Sequence, residues 1–264
     1  MALFSKYSGA GNDFVIVRAE EVGLRDANAL AQRICSRRRG VGVDGLILIR
    51  SLTEEVVRIR FFNPDGSEFA TCGNGTRCAA RYSSDRGLTG SELILVTDDG
   101  EVRARIAGDH VDIDYGLDPE IRLRLEVDVD GSPRPAWLVG MGTPHLVVEV
   151  EDVEVADFHA LGGALRSHPD IGPDGANVDL VAVSEKGLVI RTFERGVEGE
   201  TLACGSGCMA SAFALSQAGS IETPVDLRTR SGAMIRVDFL DEGLIRLGGP
   251  ARHVFDGVLP DQPI

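Results

Sequence analysis

Lysine is nearly absent: the chain has two, Lys6 and Lys186, the second in the turn-like Ser184-Glu185-Lys186-Gly187. Pyridoxal phosphate is carried as a Schiff base on a lysine, so that cofactor has poor footing. Long apolar runs are also missing; none approaches the roughly 20 residues of a membrane-spanning helix. Met1-Ala2-Leu3-Phe4-Ser5-Lys6 leads straight into patterned sequence, with no secretory apolar core and no cleavage site. These absences point to the cytoplasm. Positive charge is scarce, 27 Lys and Arg against 41 Asp and Glu, a net −14. Nucleic acid or an anionic membrane would be repelled, and neither is expected as a partner. The one basic run, Arg37-Arg38-Arg39, reads as solvated cations at a helix C-terminus.

Cysteine is sparse and unpaired in pattern. The five, Cys35, Cys72, Cys78, Cys204 and Cys208, are odd in number, and the chain is neither small nor secreted. A disulfide framework is not expected. There is no C-x-x-C, the spacings of Cys72/Cys78 and Cys204/Cys208 are poor for zinc, and no histidine lies close in sequence to either pair. No metal is expected.

What the sequence does have is a repeat of about half its length, the first thing to look for in any chain. Gly9-Ala10-Gly11-Asn12 answers Gly140-Met141-Gly142-Thr143, and Asp26…Ser36 answers Asp157…Ser167, both 131 positions on. Phe62 answers Phe193. Cys72-Gly73-Asn74-Gly75 answers Cys204-Gly205-Ser206-Gly207, and Thr97…Gly100 answers Thr229…Gly232, at 132. Val43-Asp44 against Val178-Asp179 slips to 135, which reads as a short insertion. Each match is weak alone; six in one order are not.

Each half reads alike. A strand (14–17 or 146–150) precedes an amphipathic helix, 27–37 with Asp26 as N-cap or about 158–167 stopped before Pro169. Strands rich in β-branched residues follow (46–49 and 56–62, or 180–183 and 188–193). A Cys-Gly-x-Gly turn then opens a second helix, 76–83 or 208–217, with many small residues. Hairpins close the half: 93–97 with 101–106 around Asp98-Asp99-Gly100, and 225–229 with 233–239. Strands predominate, and small residues let one helix per half sit deep among them. The expectation is an α+β fold of two pseudo-symmetric domains from an internal duplication, each with mixed or antiparallel strands wrapped around a central helix. Residues 1–116 with 251–264 form one half and 117–250 the other.

Ligands favour the cleft between duplicated domains, so the active site is expected there. A helix N-terminus binds a carboxylate, and the same field stabilises a thiolate and lowers a cysteine's pKa. Two thiols on opposite faces of one carbon suit stereoinversion: one removes the α-proton, the other returns a proton to the opposite face. Buried cysteine is ordinarily plain core, the reading preferred for Cys35, Cys78 and Cys208. Cys72 and Cys204 differ because each precedes Gly-x-Gly at the same repeat position.

At these residues the sequence resembles the diaminopimelate epimerase family, from Lys6 to Gly257. The likeness covers Gly9–Phe14, Asn63-Pro64-Asp65-Gly66-Ser67, Cys72–Gly75, Gly142-Thr143-Pro144-His145 and Gly175-Ala176-Asn177-Val178. It continues through Glu194-Arg195-Gly196, Glu200-Thr201, Cys204–Gly207 and His253–Gly257. The resemblance implies interconversion of LL- and meso-2,6-diaminopimelate, on the route to lysine and cell-wall precursor, by a homodimer without cofactor or metal. It makes Cys72 and Cys204 the acid/base pair and gives the reacting carboxylate to Gly73-Asn74 and Gly205-Ser206. Asn12, Asn63, Asn177 and Arg195 would hold the remote amino-acid end, while His145 and Glu194 would act near the reacting ammonium. Read without the family, the asparagines are also turn formers, His145 a structural histidine, and Glu194-Arg195 an exposed charge pair. Many relatives have Asn at Thr143, some have Gln at Gly45, and Phe255 stands where a tyrosine often makes a dimer contact.

Overall fold

The computed structural model describes residues 2–22 and 26–259. The chain divides into two compact units, 1–114 with 248–264 and 115–247.

The first unit contains β1 (Ala2–Gly9), β2 (Asn12–Arg18), α1 (Ala19–Val22), α2 (Ala27–Cys35), β3 (Gly45–Ser51), β4 (Val56–Phe62) and β5 (Glu68–Phe69). It continues with α3 (Gly73–Asp85), β6 (Glu92–Thr97), β7 (Gly100–Ala107), β8 (His110–Gly116) and, from the far end of the chain, β18 (Arg252–Leu259). The strands pair in the order β18-β1-β2-β3-β4-β6-β7-β8, antiparallel except β2–β3 and β4–β6. The sheet bends round α3, which touches β1 to β4, β6, β7 and β18. That is why α3 is buried on every side, and why its residues are small where the strands come closest.

The second unit repeats the plan. It contains β9 (Glu120–Val129), β10 (Ser132–Met141), β11 (Thr143–Glu149), α4 (Phe158–Arg166), β12 (Asn177–Ser184), β13 (Gly187–Glu194) and β14 (Gly199–Thr201). After these come α5 (Gly205–Gln217), β15 (Val225–Arg228), β16 (Met234–Phe239) and β17 (Leu244–Pro250). Its pairings run β9-β10-β11-β12-β13-β15-β16, parallel at β11–β12 and β13–β15, the counterparts of β2–β3 and β4–β6. Helix α5 packs against β10, β11, β12 and β16.

Local chemistry explains the helix ends. The Asp26 carboxylate accepts from Asn28 N–H and Asp157 accepts from Ala160 N–H, caps worth about 1 kcal/mol each. In α2, Leu30 and Ile34 stand one turn apart and face the core formed with Val15, Val17, Leu46 and Leu48; each contributes roughly 1.5–3 kcal/mol by burial. Helices α3 and α5 both stop at a glycine with positive φ, Gly87 (64°) and Gly219 (77°). There the following N–H groups turn back onto carbonyls of the last turn.

Three details of the sequence reading change. The Cys-Gly-x-Gly segments are no turns: α3 begins at Gly73 and α5 at Gly205, with Cys72 and Cys204 as N-caps in extended backbone. The slip to 135 is absent, because strand register sets Phe14 opposite Gly45 and His145 opposite Asn177. Asp179 therefore corresponds to Ile47, 132 positions earlier, rather than to Asp44. Helix α2 ends at Cys35, so Arg37–Arg39 lie beyond it in a turn, where Arg37 pairs with Asp44 at 2.9 Å.

Candidate active site

In the first unit the tight β1–β2 turn at Ala10-Gly11, both with positive φ, delivers Asn12 as the first residue of β2. Asn12 Nδ2 donates to Asp44 Oδ2 at 2.8 Å, which leaves Oδ1 facing Cys72 Sγ at 3.8 Å and Asn74 Nδ2 at 3.5 Å. Asp44 is held in turn by Asp13 N–H (3.2 Å) and Arg37. Arg77, fully buried one turn into α3, donates to Asn74 Oδ1 at 2.5 Å. Asn74 thus points its amide N–H toward Asn12. Asn63 lies just after β4 in a turn, its Nδ2 donating to Ser67 Oγ at 2.9 Å.

In the second unit Thr143 and His145 open β11, Asn177 opens β12 and Glu194 closes β13. All lie around the first turn of α5. His145 Nε2 is 3.0 Å from Ser206 Oγ and 3.1 Å from Thr143 Oγ1, and its Nδ1 is 2.7 Å from Asp179 Oδ2. Cys204 Sγ is 3.4 Å from Ser206 Oγ. Glu194 accepts from Thr201 Oγ1 at 2.5 Å. Asn177 Oδ1 accepts from Arg195 N–H at 2.8 Å, and Arg195 Nη1 donates to the Asp174 carbonyl at 3.1 Å. Glu194 and Arg195 are thus half-buried and differently partnered, not an exposed charge pair.

An α-helix leaves its first N–H groups without intrahelical partners. Gly73-Asn74 and Gly205-Ser206 occupy that first turn in each unit. The second glycines serve packing instead: a Cβ at Gly75 would come within 2.7 Å of the Phe61 ring, and one at Gly207 would overlap the Asp179 carboxylate.

The electrostatics overturn one expectation. Burial pushes the Cys204 thiol well above the ordinary range, and the Glu194 and Asp179 carboxylates push the same way. Burial likewise raises Glu194. A helix-end charge effect is worth about 0.3–1 kcal/mol, whereas burial shifts a pKa by up to 3–5 units, so burial wins. In the ligand-free protein Cys204 is a thiol. The expected result is a pH midpoint for iodoacetamide labelling of Cys204 above the ~8.5 of an ordinary thiol, lowered by Glu194→Gln. Peptide mass mapping across pH measures it, and a midpoint at or below the ordinary value would contradict the assignment.

The other cysteines are core: Cys35 is raised to about 12, chiefly by burial, and Cys78 is raised for the same reason. All five are free. Lys6 pairs with Asp13 at 2.7 Å, and Lys186 is exposed in the β12–β13 turn. Among the described residues no group of three or more His, Cys, Asp or Glu side chains could hold a metal, and no helix is long and apolar enough to cross a membrane. At Gly45 a Cβ would lie 3.1 Å from the Phe14 ring and the Phe62 carbonyl, so the backbone packs tightly there.

Asp44, Arg77, Asp179, Thr192 and Thr201 support the site without a role that the sequence assigned them. Only Asp179 left a readable signal, a charge inside the apolar run Val178–Val183.

A duplicated α+β fold with a cysteine heading each buried helix defines the class. Solved structures share that fold: a PhzF-family phenazine biosynthesis protein from Bacillus anthracis has a TM-score of 0.76 at 17% identity, covering 98% of this chain and 99% of that one. A predicted epimerase from Pseudomonas aeruginosa has 0.71 at 18%, covering 99% and 100%. A probable proline racemase from Agrobacterium radiobacter has 0.70 at 15%, covering 100% and 94%. The family model described as diaminopimelate epimerase matches residues 4–120 and 137–254, one stretch per repeat. Diaminopimelate epimerases from Aquifex aeolicus and Desulforudis audaxviator are 36% and 39% identical, covering 98% and 96% of this chain and 98% of each relative. The chain belongs to the diaminopimelate epimerase family.

Proposed function

We propose that this protein interconverts LL- and meso-2,6-diaminopimelate by moving a proton at one α-carbon, with Cys72 and Cys204 acting on opposite faces. The observation that carries this reading is the pair of cysteine N-caps at equivalent positions of the two repeats. Each precedes backbone N–H groups that suit the reacting carboxylate, at Gly73-Asn74 and Gly205-Ser206. Charge that spreads into that carboxylate as the proton leaves is stabilised by the helix ends.

Cys204 starts as the proton donor, which leaves abstraction to Cys72; the reverse reaction exchanges the roles. Glu194, half-buried beside Cys204, and His145 handle the α-ammonium. Asn12, Asn63, Asn177 and Arg195 hold the distal amino-acid end, with Thr143 supplying a hydroxyl. No cofactor takes part. The test is incubation of LL-diaminopimelate in D2O: meso product should carry one deuterium at the inverted carbon. Absence of both inversion and exchange with folded, reduced protein would refute the reading.

The enzyme works in the cytoplasm, where free thiols stay reduced, and as a homodimer. Leu3, Val254 and Val258 are each more than half exposed at the β1–β18 edge, where Leu3 is paired with Val258. Phe255, also exposed, meets Phe4 edge-on at 5.9 Å. An exposed apolar strand edge invites pairing. Light scattering should give twice the chain mass, and Val258→Arg should halve it; a monomeric wild type would reject the dimer.

A further inference from the structure

His145 and Asp179 are both fully buried in the second unit, side chains included. Asp179 Oδ2 accepts from His145 Nδ1–H at 2.7 Å, and its Oδ1 accepts from Thr192 Oγ1–H, also at 2.7 Å. The first unit shows that the fold does not require this arrangement. Strand register places Phe14, Ile47 and Phe61 where the second unit has His145, Asp179 and Thr192. All three of those are buried and apolar. An architecture that closes well on three hydrocarbon side chains has, in its twin, a buried carboxylate. Desolvating that charge is costly unless it is paired and hydrogen-bonded, so what it does for His145 is the reason to look for a role.

The hydrogen bonds fix the direction of the ring. Asn177 Oδ1 is taken by Arg195 N–H at 2.8 Å, so Nδ2–H is what Asn177 turns toward His145 Nε2, at 3.3 Å. A nitrogen facing a donor must present its lone pair. Nδ1 then carries the ring proton and gives it to Asp179. Ser206 Oγ–H and Thr143 Oγ1–H, 3.0 and 3.1 Å away, are then the hydroxyls that face this lone pair, and Ser206 Oγ also lies 3.4 Å from Cys204 Sγ. Ser206 therefore stands between the Cys204 thiol and the imidazole, and the imidazole in turn is bonded to Asp179. Helix α5 comes down directly onto the carboxylate, since only a glycine at 207 leaves room for it.

We propose that Asp179 is a positioning residue: it holds His145 as the Nδ1–H tautomer, with Nε2 open to Ser206, and through that chain orients the thiol of Cys204. This rests on the epimerase reading for its catalytic consequence, though not for the tautomer itself. A carboxylate behind a histidine commonly sets its tautomer and orientation, and losing such a partner typically costs about 10- to 100-fold.

The experiment uses the full-length reduced protein and Asp179→Asn, which keeps the shape but removes the charge and replaces one of the two accepting oxygens with a donating NH2 group. Side-chain nitrogen-15 shifts of ligand-free wild type, with His145 assigned by its loss in His145→Gln, should show a protonated Nδ1 and a bare Nε2. Asp179→Asn should weaken that preference, lower kcat at least about tenfold and leave KM within about twofold, because Asp179 is walled off from solvent. A purely structural aspartate would predict normal kcat in Asp179→Asn, and that result overturns the proposal. So does an Nε2–H tautomer in wild type, which decides the matter even if the variant does not fold. Wild-type turnover tests the epimerase reading separately.

Discussion

Cys72→Ala and Cys204→Ala each abolish epimerisation, an expected loss of at least about 10³-fold in kcat, while the circular dichroism of both stays native. General acid–base groups individually contribute roughly 10²–10⁴-fold, and inversion needs two in sequence, so neither loss can be made good by the other thiol. The variants should nevertheless differ from a dead protein. A single remaining thiol can still remove the proton on its own face and return one there. Cys72→Ala should therefore show slow deuterium uptake, with retention, into only one of the two stereoisomers, and Cys204→Ala into only the other. Cys35→Ala should turn over normally, because Cys35 lies within the core beside Ile34 and Leu30, with a stability cost of about 1 kcal/mol. Full turnover in either cap variant, or uptake into both isomers by both, would rule out two opposed thiols. The assay is proton NMR of the Cα signal in D2O.

The repeat was legible because it is written in residues that topology cannot exchange. The glycines that turn β1 into β2, the aspartates that cap α2 and α4, and the cysteines that head α3 and α5 recur in order and at nearly one spacing. Periodicity then gave most of the strands it named to within a residue or two, and passed over β1, β5, β8 to β10, β14, β17 and β18. It missed the starts of α3 and α5 because Gly-x-Gly reads as a turn from propensity alone. Here the glycines are helical: a side chain at either second position would strike Phe61 or Asp179, and tertiary packing overrides the preference. The letters of Val43-Asp44 and Val178-Asp179 match 135 positions apart, but strand register aligns Asp179 with an isoleucine.

The place of the two cysteines at the helix starts was legible, and the electrostatics around Cys204 were not. A helix N-terminus by itself acidifies each cysteine. Around Cys204 the sequence also brings Glu194 from β13 and Asp179 from β12, ten and twenty-five positions away, to the same buried spot. No spacing rule reveals that, since the two carboxylates meet the thiol only once the strands are paired. The two units differ for the same reason. Asn12 faces Cys72, with Asp44 and Asn74 bonded to that asparagine and Arg77 behind Asn74; Glu194 and Asp179 act on Cys204.

Lysine, which shares every atom of diaminopimelate except the distal carboxylate, is expected to be a very poor substrate, its kcat/KM lower by about 10⁴-fold. A site that hydrogen-bonds a polar group rejects an analogue lacking it by roughly 10⁴–10⁵. The reason is that buried donors left without partners cost more than the missing contact itself. Arg195 is suited to this part. Its N–H is anchored on Asn177 and its Nη1 on the Asp174 carbonyl, so the guanidinium is aimed rather than free to wander. A guanidinium so held can present its remaining donors as a fork to a carboxylate. Arg195→Met keeps an unbranched apolar stem and removes the fork. It should raise KM for diaminopimelate steeply, with kcat falling less because the distal end binds alike in ground and transition states. The same change should leave the little turnover of lysine almost untouched, so that discrimination collapses from the good substrate's side. Parallel measurement of both substrates on wild type and Arg195→Met decides it. Comparable kcat/KM for lysine and diaminopimelate on wild type would mean that the distal carboxylate is not read, and unchanged discrimination in Arg195→Met would mean that another residue reads it.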